Sequence, residues 1–222
     1  MKLKVCGMKY QENIAEVAFI QPDYMGFIFY EKSARFLENE IPKISKKIKK
    51  TGVFVDASLA YILEQIQNHN LQAIQLHGSE TPEFCHALGN AELPAHLAGA
   101  VSASHPLEII KVFPIKDTFD FSVLEPYEPV CDYYLFDTKG KLPGGNGYTF
   151  NWSVLENYSS TKPFFLSGGI SLDEIDKIKG FQKSNSSKYC YAIDVNSRFE
   201  IEPGLKSVEK IKEFKENVIT RS

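Results

Sequence analysis

Short apolar runs alternate with segments of helical periodicity almost from end to end of this chain. That alternation restricts the fold more than any other property of the sequence. The runs read as strands are Leu3–Cys6, Met25–Tyr30, Gly52–Asp56, Ala73–His77, Ile109–Ile115, Tyr133–Asp137, Pro163–Ser167 and Tyr189–Val195. Several are apolar on successive residues rather than alternating, as parallel strands covered on both faces require. The segments between and after them read as helices: Gln11–Phe19, Ile41–Lys49, Leu59–Asn68, Pro82–Leu88, Phe121–Tyr127, Trp152–Tyr158, Leu172–Ile178 and Ser207–Asn217. Eight strand-then-helix units in 222 residues predict an α/β fold, one (β/α)8 TIM barrel over residues 1–222. A doubly wound open sheet is the alternative, because the number of strands read from a sequence is uncertain by one or two.

Local signals support the helix starts. Ser58 is placed to cap the helix beginning at Leu59, and Leu59, Ile62, Leu63 and Ile66 share one face of it. Ser171-Leu172-Asp173-Glu174 reads as a capping box, with Ser171 accepting from a first-turn amide and Glu174 reaching back. The lysines between Lys43 and Lys50 read as the solvated face and C-terminal end of an amphipathic helix. Gly89–Pro106 reads as an extended connection, and Gln182–Lys188 as a polar surface loop.

A 43% apolar fraction is enough for a sizeable core, and a net charge of −3 gives no basic face for nucleic acid or an acidic membrane surface. The first residues contain no apolar signal-peptide core, and no apolar run approaches the ~18 residues of a spanning helix. The four cysteines, Cys6, Cys85, Cys131 and Cys190, form no Cys-x-x-Cys pair. That argues against a zinc site and a disulfide framework and for a reduced, cytoplasmic setting.

Two ionisable residues end apolar runs far apart in sequence. Cys6 precedes Gly7, and Asp137 opens the stretch Thr138–Gly147, rich in lysine and glycine. In a barrel both would face the mouth, where a thiolate suits a carbon-acid base and a carboxyl a general acid. The bland readings are a small buried hydrophobe for Cys6 and a turn residue for Asp137. The remaining cysteines keep the bland reading. Ser167-Gly168-Gly169 and Asp194-Val195-Asn196-Ser197 end the seventh and eighth runs, the positions whose loops commonly hold phosphate in barrels. Arg35 could pair with a substrate carboxylate or lie on the surface. His77 could line the pocket or be structural. The stretch after Asp137, with Gly145 and Gly147, reads as a lid over an anionic ligand or as an ordinary connection.

These residues, taken in order, match a known family. Lys4-Val5-Cys6-Gly7-Met8, Gly26–Tyr30 with Ser33-Ala34-Arg35, Gly52–Asp56 and Gln75–Glu80 resemble phosphoribosylanthranilate isomerase. So do Leu135–Thr138, Gly144–Gly147 with Phe150-Asn151-Trp152, Leu166–Ile170, and Asp194–Ser197 with Glu200 and Pro203-Gly204. The resemblance implies a cofactor-free, metal-free Amadori rearrangement in tryptophan biosynthesis, with Asp137 as general acid and Cys6 as general base. It implies that Arg35 contacts the anthranilate carboxylate and that Gly145 and Gly147 belong to the loop over the substrate. Gly168, Gly169, Asn196 and Ser197 would bind phosphate, with Asp194 near the substrate. The last turn departs from the family: Asn196-Ser197-Arg198 stands where Ser-Ser-Gly is frequent. Arg198 then either adds charge near the phosphate or points to solvent.

The expected ligand is a small phosphosugar, and the expected assembly a monomer or homodimer. A related barrel acting on another phosphosugar, such as a histidine-pathway isomerase or indole-glycerol-phosphate synthase, would use paired aspartates or a strand-end lysine with glutamates. The thiol at Cys6 disfavours both. A non-catalytic phosphate-binding barrel would lack the acid or the base.

Overall fold

The computed structural model describes residues 1–91, 107–138 and 151–219. Its strands are β1 (Lys2–Val5), β2 (Tyr24–Ile28), β3 (Lys49–Phe54), β4 (Ala73–Leu76), β5 (Glu108–Ile115), β6 (Tyr133–Thr138), β7 (Phe164–Leu166) and β8 (Cys190–Val195). They pair in parallel, in chain order, and close into a barrel. Closure is the pairing of β1 with β8, in which Lys2 faces Ala192 and Lys4 faces Asp194. An open doubly wound sheet has no such pairing. Helices α1 (Gln11–Phe19), α2 (Leu59–His69), α3 (Pro82–Gly89), α4 (Ile175–Gln182) and α5 (Val208–Val218) accompany it, and β9 (Glu200–Glu202) and β10 (Leu205–Lys206) form a separate hairpin.

The run of successive apolar residues is explained by burial on both strand faces. Leu3, Val5, Phe27, Ile74, Phe136, Phe164 and Ile193 point outward and pack with Ile14 and Val17 of α1, Ile62 and Ile66 of α2, and Ile211 and Phe214 of α5. Each such side chain contributes about 1.5–3 kcal/mol through removal from water. A second cluster, Tyr24, Ala73, Ile110, Val112, Leu135, Phe165 and Ala192, fills the barrel interior. Its lower end is aromatic: Tyr24 and Tyr133 each meet Phe165 edge-to-face with centroids 5.3 Å apart. Above this plug the inward residues become polar, and the cavity begins there.

Four expectations are corrected. Ile41–Lys49 is not a helix, because β3 starts at Lys49, opposite Tyr24 of β2, rather than at Gly52. The segment left over is short and contains Pro42, too little for a stable helix. Its isoleucines still reach the core, Ile48 fully and Ile41 and Ile44 in part. Lys43, Lys46 and Lys47 are exposed as expected, whereas Lys49 pairs with Glu108 below the barrel. Phe121–Tyr127 and Trp152–Asn157 are 3-10 turns rather than α-helices. In the first, Pro126 has no N–H to continue an α-helical ladder. The Ser58 cap forms, accepting from the Tyr61 amide. Ser171 also caps, accepting from Asp173, but Glu174 pairs with Lys177 instead of reaching back. Most of the expected connection Gly89–Pro106 lies outside the described residues.

Candidate active site

Strand alternation sends Lys4 and Cys6 of the first strand to the same inward face, one above the other. The Cys6 amide extends the β1–β8 ladder by donating to the Val195 carbonyl at 2.9 Å. Its sulfur leans over Gly26 of β2, where a Cβ would stand only 2.7 Å from Sγ. Across the barrel, β6 presents Asp137, and His77 follows β4 with Nε2 3.5 Å from Asp137 Oδ2. Gln75, inward on β4, brings Nε2 within 3.2 Å of His77 Nδ1. Its Oε1 is buried and has no hydrogen-bond partner among the described residues.

Cys6, Arg35, His77, Asp137, Gly168, Gly169, Asp194, Asn196 and Ser197 all line one cavity of about 410 Å³ at the C-terminal ends of the strands. Gly145 and Gly147 lie outside the described residues. Gly168 has φ +92°, and a Cβ there would drive into Thr138. Only glycine lets the β7 turn lie against the end of β6. Gly7, φ +74°, plays the same part beside Arg35 and Asn196, whose Cδ and Oδ1 would be 2.8 and 2.7 Å from a Cβ. Arg198 is exposed.

Two charge clusters underlie the cavity. Lys4, with no exposed surface, donates to Asp194 Oδ1 at 2.9 Å, and Ser167 Oγ lies 3.3 Å from Asp194 Oδ2. Burial pulls the Lys4 ammonium down, but Asp194 and the Cys6 sulfur, within hydrogen-bond reach, outweigh it and raise the group above its ordinary value. Burial pushes Asp194 upward against the pull of Lys4. At 2.9 Å the contact is that of an ion pair, and both groups are read as charged. Burial also pushes the Cys6 thiol up, opposed by Lys4. The ligand-free sulfur is therefore not the near-neutral thiolate that suits a base. The second cluster holds Arg35. Its Nε and Nη2 donate to Glu200 Oε1 and Oε2, each at 2.8 Å, and Lys206 donates to Glu200 Oε1 at 2.5 Å and Asn196 Oδ1 at 2.7 Å.

A family model described as N-(5'phosphoribosyl)anthranilate (PRA) isomerase matches residues 3–217. The chain belongs to the phosphoribosylanthranilate isomerase family. N-(5'-phosphoribosyl)anthranilate isomerase of Parabacteroides distasonis is 39% identical over 225 residues, with 99% of this chain and 94% of that protein covered. The same enzyme of Phocaeicola vulgatus is 38% identical, with 96% of each chain covered. The crystal structure of phosphoribosyl anthranilate isomerase from Thermotoga maritima aligns over 98% of both chains with TM-score 0.76 and 26% identity. As a member of the phosphoribosylanthranilate isomerase family, the chain is an isomerase.

Sequence reasoning missed Lys4, Gln75, Glu200 and Lys206 as parts of this isomerase site. The signal for the first two was available: each lies two residues before a chosen site residue, Cys6 or His77, and so shares its face. Glu200 and Lys206 are brought in by the β9–β10 hairpin, where they are cross-strand partners.

Proposed function

We propose that this chain converts N-(5-phosphoribosyl)anthranilate to 1-(2-carboxyphenylamino)-1-deoxyribulose 5-phosphate in tryptophan biosynthesis, with Asp137 as general acid and Cys6 as general base. The observation that carries the assignment is the presence of a thiol and a carboxyl on one cavity whose wall includes two phosphate-type turns. Asp137 gives its proton to the furanose ring oxygen, the C1–O bond breaks, and the anilino nitrogen supplies the electron pair that forms the iminium. The Cys6 thiolate removes the proton from C2, and those electrons neutralise the iminium to give the enolamine. Tautomerisation to the ketone completes an isomerisation with no net gain or loss of electrons.

The thiolate has to form against burial and against the nearby Asp194 carboxylate. The Lys4 ammonium beside the sulfur favours it, and Lys206 adds to that field. The iminium generated by ring opening adds a further positive charge and acidifies C2, so a base of modest strength suffices. Gly168, Gly169, Asn196 and Ser197 are assigned to the phosphate, Arg35 to the anthranilate carboxylate, and His77 and Asp194 to holding the acid and the base region. Gly145 and Gly147 are assigned to the covering loop. A cytoplasmic location fits this role, and among the described residues no helix is long and apolar enough to cross a membrane.

The test is loss of anthranilate-type fluorescence when purified protein, treated with chelator, meets freshly generated phosphoribosylanthranilate, with the product identified by mass and NMR. Rapid loss with formation of the ketose supports the assignment. A folded protein that leaves the fluorescence unchanged would shift the reading to another phosphosugar or to a binding-only barrel.

A further inference from the structure

The wall of the cavity beside Arg35 is built more elaborately than a single carboxylate contact requires. Glu200 is nearly buried, with its side chain 5% exposed, and it receives four N–H groups: Arg35 Nε and Nη2 at 2.8 Å, the Gly204 amide at 3.1 Å and Lys206 Nζ at 2.5 Å. The hairpin that carries it is fixed to α1. Asn13 accepts from the Lys206 amide at 2.8 Å and donates to the Lys206 carbonyl at 2.9 Å. Glu200 is thus held directly at its carboxylate and, through its cross-strand partner Lys206, by the anchored hairpin.

A guanidinium presents five N–H groups in a planar fork. Glu200 takes Nε–H and one hydrogen of Nη2, which fixes the plane of the group. The Nη1–Nη2 edge is then the one left for a second bidentate partner, and Arg35 lines the cavity. Charge agrees with geometry. Arg35 and Lys206 against Glu200 leave one positive charge in the cluster, which suits one monoanionic group.

We infer that Glu200 is a positioning residue: braced by Lys206, it holds Arg35 in the plane that receives the carboxylate ortho to the substrate's anilino nitrogen. Glu200 would act through Arg35 and touch no substrate atom. The inference rests on the reaction proposed above. Without the Glu200 carboxylate, two buried cations face one another, and Lys206 relieves this by losing its proton. Arg35 then keeps its charge and loses its bracing, so recognition of the carboxylate weakens while the chemistry at C1 and C2 is left largely intact.

The experiment compares wild type with Glu200→Gln on two substrates, N-(5-phosphoribosyl)anthranilate and its carboxylate-free analogue N-(5-phosphoribosyl)aniline, with product measured by chromatography. For the anthranilate substrate KM should rise about tenfold, as for loss of one charge-assisted hydrogen bond, with a much smaller change in kcat. For the aniline substrate KM should not change. An equal rise for both substrates, or none for either, would overturn the inference and leave the reaction standing. Failure of wild type to convert either substrate would instead remove the reaction itself. If Glu200→Gln does not fold, Glu200→Asp is measured in the same way. It keeps the charge but draws the carboxylate back from the guanidinium by one methylene, and the same substrate comparison decides.

Discussion

Lys4 and Asp194, 190 residues apart in sequence, meet inside the barrel at 2.9 Å. They are paired residues of the ladder that closes the barrel, so the seam of the fold and the floor of the cavity are one structure. The pair is sealed from water, with Lys4 wholly buried and the Asp194 side chain 5% exposed.

Lys4→Met should therefore be costly in a specific way. It leaves the Asp194 carboxylate buried without its cation, which typically costs about 3–5 kcal/mol. Urea denaturation should show this loss, and the double variant Lys4→Met/Asp194→Leu should recover most of it. A double variant no more stable than the single one would mean that the packing of the lysine stem, rather than the charge, is what matters.

Cys6 should react slowly as a nucleophile in the ligand-free protein. Burial raises the thiol above its ordinary value of 9.0 despite the nearby ammonium, so the thiolate is scarce at neutral pH. Iodoacetamide labelling, located by peptide mass, should accelerate through and beyond pH 9.0 with no plateau below it. In the Lys4→Met variant the sulfur loses a stabilising charge, and the curve should move to still higher pH.

Lys206 gives the site a pH limit. Burial lowers it to about 8, against the pull of Glu200, from an ordinary value of 10.5. Below about pH 8 the cluster of Arg35, Lys206 and Glu200 carries one net positive charge, and above it none. KM for the carboxylated substrate should rise as pH passes about 8, while KM for the aniline analogue stays level. Stability follows the opposite sign. Between about 8 and 10.5 the unfolded chain binds the Lys206 proton and the folded chain does not, so this group's cost to stability is relieved as pH rises through that window. Denaturant midpoints across the window, compared with Lys206→Met, measure it.

Gly26→Ala tests how tightly the sulfur is placed. The added methyl would lie 2.7 Å from Cys6 Sγ and 3.1 Å from Cys6 Cα, so the strands or the thiol must shift. Overpacking of this kind costs about 1–3 kcal/mol. The expected result is a folded protein with a lower melting temperature and a kcat reduced at least about tenfold, since misplaced reacting groups lose rate steeply. Unchanged kcat would show that the sulfur position is not critical.

Much of this was legible before any coordinates. Two-sided burial of parallel strands writes itself as uninterrupted apolar runs, so all eight strands were found, with β3 misjudged at its start. Cys6, His77 and Asp137 stood out because a polar group at the end of such a run has to face the barrel mouth. Ile41–Lys49 misled because its isoleucines recur at helical spacing. The same spacing also serves an extended segment pinned at intervals to the core, and the register of β3 against β2 took Lys49. Lys4 was passed over as part of an apolar run, because its buried partner is supplied only by barrel closure. Glu200 and Lys206 depend on the β9–β10 pairing and on Arg35 arriving from the loop after β2, contacts that no local pattern encodes.

The measurement closest to the central claim is turnover of phosphoribosylanthranilate by wild type, Cys6→Ser and Asp137→Asn, each shown to be folded by circular dichroism. A lost general acid or base is worth roughly 10²–10⁴ in rate, and each variant should fall by that much or more. Either variant turning over within a few-fold of wild type would contradict the assignment of that residue.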